Sequence, residues 1–382
     1  MRCAMASEFD SQPGLTEAGN LAKACQLPDS CMPQSRRYLI ISLCVLFAIG
    51  LAWLLLRSTT PVVPEAIKRG FSEALTQARA GQPGAARVLY QQLGRPDISP
   101  KRRVWLHAEL PNYPSPLALK LADADLQHPA AEVRIAAIKS ISGLVPSGQR
   151  SLLLGPLLDD SEQSVRFAAV NALLGLSPDD LGLYFGPLQQ AIDAWEQVLT
   201  SAPDSAENQY QLARLHLHNG EFKAAQQALE NTLRLAPDNL PALVMQIEVL
   251  DKQGQSEAAR LLLAKQLKAQ PDSAYLQHAL GLWLLHHGQS EFALLGLSKA
   301  VELEPDNKDY RYDLATTLHG EQELEAAQKQ LQEIVQRHPA DRKARVLLIN
   351  YWKESGQLQN VQILLAQLEQ LNPDDPALQQ GL

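Results

Sequence analysis

The chain has 382 residues, of which 46% are hydrophobic and 20% charged, a balance that suits a folded protein of two or three domains. Its formal net charge of −8 argues against a nucleic-acid binder, because neutralising phosphates needs a clustered Lys/Arg surface that an acidic chain must build against its own field. The four cysteines, Cys3, Cys25, Cys31 and Cys44, leave everything after residue 44 without disulfides or thiolate ligands, and the lack of a CxxCH motif excludes covalently attached c-type haem.

Residues 1–37 are rich in small and polar types and are expected to be disordered, with Met32 an alternative start before the basic run that ends in Arg36 and Arg37. Residues 38–56 (YLIISLCVLFAIGLAWLLL) carry no charge, and as a helix they span roughly 28 Å, close to the hydrocarbon thickness of a bilayer. Trp53, three leucines and Arg57 stand in place of a small-residue cleavage site, so the segment reads as an uncleaved transmembrane anchor. The Arg36–Arg37 pair ahead of the span is expected to stay cytoplasmic, which places the C-terminal part in the periplasm of a bacterium, at the inner membrane.

A linker at 57–64 precedes an expected helical region over 65–186, beginning with a helical pair near 65–94. Within it EVRIAAIKSISGL (132–144) matches SVRFAAVNALLGL (164–176), which sets Val133/Val165, Arg134/Arg166, Ala136/Ala168 and Ala137/Ala169 each 32 residues apart. This V-R-x-A-A pattern resembles the second helix of HEAT repeats, with a degenerate third unit near Val104. A segment from Pro187 to Ser201, carrying Ala191 and Trp195, is expected to splice this region onto the C-terminal half.

From there to residue 382 the chain is periodic. Pro203, Pro237, Pro271, Pro305, Pro339 and Pro373 are each 34 residues apart, as are Gly220, Gly254 and Gly288, with Gln322 in the fourth place and Gly356 in the fifth. Each period holds an apolar helical pattern, a Gly able to take positive φ, a second pattern, and a Pro where a helix must stop. Capping residues come after each Pro: Asp204–Ser205, Asp238–Asn239, Asp272–Ser273, Asp306–Asn307, Asp341 and Asp374–Asp375. This punctuation resembles the tetratricopeptide repeat (TPR) family, with repeats at 206–239, 240–273, 274–307, 308–341 and 342–375 inside an array over 187–382. The family's small residue at position eight appears as Ala213, Gly281 and Ala315 but as Ile247 and Ile349 in two repeats, where looser helix contacts are expected. The fold class expected is therefore all-α, an α-solenoid of HEAT-like helices and a TPR superhelix behind one N-terminal transmembrane helix.

No phosphate loop, GxSxG elbow or HExxH site occurs. His216 and His218 lie two apart on one helix and point away from each other, so no metal, no cofactor and no catalytic residue is expected. The resemblance implies instead a partner-binding groove lined by positions two, five, nine and twelve of each repeat. Carried over, these give Tyr210 and Arg214; Val244 and Glu248; Tyr275, His278 and Leu282; Tyr312 and Thr316; Lys343 and Asn350. The Lys/Asn arrangement of chaperone-binding TPRs is matched only by Lys343 and Asn350, so that ligand class is not expected. The expected function is that of a membrane-anchored scaffold or assembly factor, not an enzyme, holding a partner peptide or helix in the groove. In outline it is similar to accessory subunits of bacterial cytochrome c maturation or of envelope-complex assembly. The alternative is a non-catalytic regulatory or accessory subunit of a membrane enzyme or polysaccharide export complex.

Overall fold

A computed structural model describes residues 70–379, which lie in the second of two compact units, Lys68–Leu382. The expected disordered segment 1–37, transmembrane helix 38–56 and linker 57–64 fall outside the described residues, and among the described residues no helix is long and apolar enough to cross a membrane.

The described residues form helices joined by turns and short 3-10 segments. An N-terminal layer comprises α1 (Phe71–Arg79), α2 (Ala85–Leu93), α3 (Pro100–Glu109), α4 (Pro116–Asp125), α5 (Ala131–Leu144), α6 (Ser147–Leu154), α7 (Gln163–Leu173) and α8 (Pro178–Leu181). The two V-R-x-A-A segments are α5 and α7, and Val133, Ala137, Val165 and Ala169 are fully buried on their inner faces. Their arginines do the same local work. Arg134 Nη1 donates to the carbonyls of His128 and Pro129, and Arg166 Nη1 to those of Asp160 and Ser161, so each ties down the turn that enters its own helix.

The array comprises α9 (Phe185–Ser201), then α10 (Ala206–His218) with α11 (Phe222–Leu235), α12 (Leu240–Lys252) with α13 (Ser256–Ala269), α14 (Ala274–His286) with α15 (Ser290–Leu303), α16 (Lys308–Gly320) with α17 (Leu324–Arg337), α18 (Arg342–Glu354) with α19 (Leu358–Leu371), and the short α20 (Pro376–Gln379). The first helix of every repeat starts on a side-chain cap, from Ser205, Asn239, Ser273, Asn307 and Asp341 in turn. Two of the aspartates next to the prolines serve otherwise: Asp204 pairs with Arg234 and Asp306 with Arg337. Between the helices of each pair the chain turns through positive φ, at Gly220 (+74°), Gly254 (+76°), Gly288 (+69°), Gln322 (+66°) and Gly356 (+73°). Gln322 thus holds a left-handed conformation that costs an L residue about 1–2 kcal/mol.

The hairpins close on small residues. Ala225, Ala259, Ala293 and Ala327 are fully buried, with Leu229, Leu263, Leu297 and Leu331 one turn further on. Repeat three is the tightest. A Cβ on Gly281 would lie 2.6 Å from Leu297 Cγ, and one on Gly296 3.1 Å from the Gly281 nitrogen, so α14 and α15 meet glycine to glycine. Ile247 and Ile349 are nevertheless buried at the same position of repeats two and five, where the larger side chain holds the two helices apart.

The repeat pattern carried no signal for the return of the array's end to the N-terminal layer. Gly84 N donates to Gln370 O at 2.7 Å, Asn372 Nδ2 to Pro114 O at 2.6 Å, and Leu371 packs into the same core as Leu89 and Leu110. At Gly81 the approach leaves no room for a side chain, since a Cβ would stand 2.5 Å from the Pro339 carbonyl.

Candidate functional site

The groove positions sit on the first helices of the repeats, whose opposite sides are buried. None of the eleven candidates is itself buried: Glu248, Leu282 and Lys343 are exposed and the others half-buried. Two tyrosines dominate the upstream part. Burial pushes the phenols of Tyr210 on α10 and Tyr275 on α14 above their usual range. Val244 and Leu282 add aliphatic surface, Leu282 being 42% exposed. Arg214 Nη1 donates to Gln211 Oε1 at 2.9 Å, and Glu248 lies 3.7 Å from Lys252, so both charges are held loosely along their own helices.

Downstream the arrangement departs from a single open groove. Tyr312, Lys343 and Asn350 share a cavity of about 480 Å³ with Pro111, Asn112 and Gly143 of the N-terminal layer, so the inner face of repeats four and five has the chain's own α3–α4 turn as its far wall. The Lys343 ammonium stands 3.6 Å above the Tyr312 ring. Beside them Lys308 pairs with Asp341 at 2.6 Å and Arg342 with fully buried Asp375 at 2.6 Å. Thr316 turns its hydroxyl onto Asp313 O, and Val244, Tyr210, Arg214, Tyr275 and Leu282 do not line this cavity.

His278 has a structural duty. Its Nε2 meets Asp313 Oδ2 at 2.7 Å across the junction of repeats three and four, and its ring lies 4.5 Å from that of Tyr310. Equivalent ties join His287 to Asp251 and His319 to Glu354, each bridging adjacent repeats. His216 pairs with Glu221 on the turn after it. Among the described residues no group of three or more His, Cys, Asp or Glu could hold a metal ion.

The most concentrated buried chemistry lies where sequence reasoning singled out nothing. His107 Nε2 meets Asp125 Oδ2 at 2.8 Å and its Nδ1 meets Ser140 Oγ at 3.0 Å, an order of contacts shared with nucleophile triads. Ser140, however, has no exposed surface, and its hydroxyl donates to the His107 carbonyl at 2.8 Å. Arg103 completes the set with two hydrogen bonds to Asp125, at 2.8 and 2.9 Å, and one to Arg95 O. Burial pushes the Asp125 carboxyl up, but the His107 and Arg103 hydrogen bonds prevail and hold it below the usual carboxylate range. This is an interhelical staple joining α3, α4 and α5. Arg103 and His107 share α3, but Asp125 and Ser140 lie 18 and 33 residues beyond His107, with no motif spacing that could have flagged them.

Tetratricopeptide repeat families match residues 185–234 and 217–282, and again 294–381. No curated protein matches the chain. Among solved structures, a thermophilic TPR protein in Thermus thermophilus is 22% identical, over 53% of this chain and 98% of its own, with a TM-score of 0.37. YrrB, described as a TPR protein with an unusual peptide-binding site, is 19% identical over 50% of this chain and 98% of its own, with a TM-score of 0.34. MamA from Desulfovibrio magneticus RS-1 is 22% identical over 41% of this chain and 89% of its own, with a TM-score of 0.30. The chain thus carries tetratricopeptide repeats, a fold that mediates protein–protein interaction and is typically non-catalytic.

Proposed function

We propose that the protein is a non-catalytic scaffold that holds a protein partner on the inner faces of its first three repeats. The observation that carries this reading is the pair of half-buried tyrosines, Tyr210 and Tyr275, on helices of an array that also presents Val244 and Leu282. Rigid rings supply large contact area for little lost rotamer freedom, and the aliphatic groups beside them suit an extended segment or the apolar face of a helix. Repeats four and five, faced by Pro111 and Asn112, offer a narrower space and are secondary in this reading.

The uncharged segment 38–56 supports a further part of the proposal, that the scaffold is anchored at a bacterial inner membrane with its repeats in the periplasm, where assembly of cytochromes or envelope complexes takes place. Crosslinking in intact membranes followed by mass spectrometry identifies the partner, and the double variant Tyr210→Ala/Tyr275→Ala tests the surface. Loss of two aromatic anchors is expected to weaken binding by about 2 kcal/mol or more, roughly thirtyfold, with the helical circular dichroism unchanged. Undiminished binding by the folded double variant would exclude this face as the docking site.

A further inference from the structure

The second helices of the repeats turn their outer faces to solvent, and these faces differ from repeat to repeat. In repeats one and four the residue at the centre of that face is Gln227 or Lys329, with Lys223, Glu230 and Glu325 around it. In repeats two and three the same position is Leu261, 54% exposed, and Leu295, 68% exposed, and Phe292 beside Leu295 is 61% exposed. Ile363 of repeat five is also exposed, but with polar Gln359 one turn before it and polar Gln367 one turn after it. Between α13 and α15 the apolar side chains border a groove of about 510 Å³, whose lining includes Leu263, Leu267 and Leu280 together with Phe292 and Leu295. Trp283 belongs to the same lining, and its Nε1 is buried with no acceptor among the described residues. Such a face on a folded chain marks an interaction surface.

The charge pattern says which occupant. On α15, Glu291 lies one turn before Leu295 and Lys299 one turn after it, all three on one side of the helix. Glu291 makes no ion pair among the described residues, while Lys299 holds only the exposed Glu302 three residues on. A two-fold axis through Leu295 that runs two copies of α15 antiparallel puts Leu295 against Leu295 and brings each Glu291 opposite the other copy's Lys299. The face is therefore complementary to itself in charge around an apolar centre, as an isologous contact requires.

We propose that the outer face of α13 and α15 is where a second copy of this chain docks, antiparallel about an axis at Leu295. This surface is distinct from the inner face that holds the partner, so a dimer presents two partner-binding arrays. Full-length chain with its four cysteines replaced by serine, carrying Leu295→Cys, is expected to form a disulfide-linked dimer under mild oxidation. Lys329→Cys, at the same position of repeat four, serves as the control and should not. Adding Glu291→Lys or Lys299→Glu to the Leu295→Cys chain should slow crosslinking at least about tenfold, and the two together should restore it to within about twofold, because the reversed charges face each other again. All these side chains are at the surface, and helical circular dichroism checks each variant. Crosslinking no faster from position 295 than from position 329, a double charge reversal that fails to restore it, or capture of a different protein at position 295 would each overturn the proposal.

Discussion

The N-terminal layer and the repeat array are both helical and both well packed, yet they are specified in opposite ways. In the array each hairpin is written locally: a cap from Ser205, Asn239, Ser273, Asn307 or Asp341, a positive-φ turn, a buried Ala–Leu pair in the first four repeats with Val361 and half-buried Leu365 in the fifth, and a proline. In the layer, α1, α2, α3, α5 and α7 begin without a side-chain cap, and the helices are held instead by polar contacts between distant residues. The buried set of Arg103, His107, Asp125 and Ser140 is the clearest, with Tyr113 donating to Ala78 O as another. A local code tolerates the loss of one element, because its neighbours repeat it. A single long-range staple does not.

The largest expected effect therefore falls in the layer. Asp125→Ala leaves Arg103 and His107 buried without their carboxylate and should cost about 3–5 kcal/mol in denaturant unfolding. The same residue sets a pH dependence. Its carboxyl is depressed in the folded chain, so its contribution is fully present above the unfolded value of about 3.9 and is lost as pH falls through the lower folded value. The wild-type chain should lose more stability between about pH 5 and pH 3 than Asp125→Asn does. Equal losses would mean that Asp125 is not what acid attacks.

An intermediate effect tests packing within the array. Gly281→Ala places a methyl 2.6 Å from Leu297 Cγ and should destabilise by about 1–3 kcal/mol, although repeats two and five carry isoleucine at the same place. A neutral result would show that α14 and α15 separate as freely as the helix pairs built around Ile247 and Ile349.

The smallest effect is a matched pair at the turns. Gly288→Val is expected to lower the melting temperature, at a cost of about 1 kcal/mol or more, because a β-branched residue resists φ of +69°. Gln322→Gly should raise it, with a stabilisation of about 0.5–1 kcal/mol, since it relieves the same strain at +66° less the added freedom of the unfolded chain. If both changes move stability in one direction, the turns are not the equivalent sites that their shared geometry implies.

The period and the turn residues were determined by the sequence alone, down to the one turn where glutamine stands for glycine, because capping, positive φ and the proline stop act over a few residues and leave fixed spacings. Along the layer the paired V-R-x-A-A segments marked two helices correctly, and there legibility stopped. The staple of His107 and Asp125, the return of Leu371 and Asn372 to the first helices, and the wall that Pro111 and Asn112 raise before Tyr312 and Lys343 were decided only by tertiary structure. Asn372 and Pro114 are 258 residues apart, and nothing in either residue's neighbourhood encodes the other. The groove positions could be numbered from the repeat, but which of them stay open depends on how far the array curls before its end meets its beginning. That curl is the sum of small rotations at each repeat junction, set by contacts between neighbouring repeats such as His278–Asp313 and His287–Asp251 through their packing rather than their spacing.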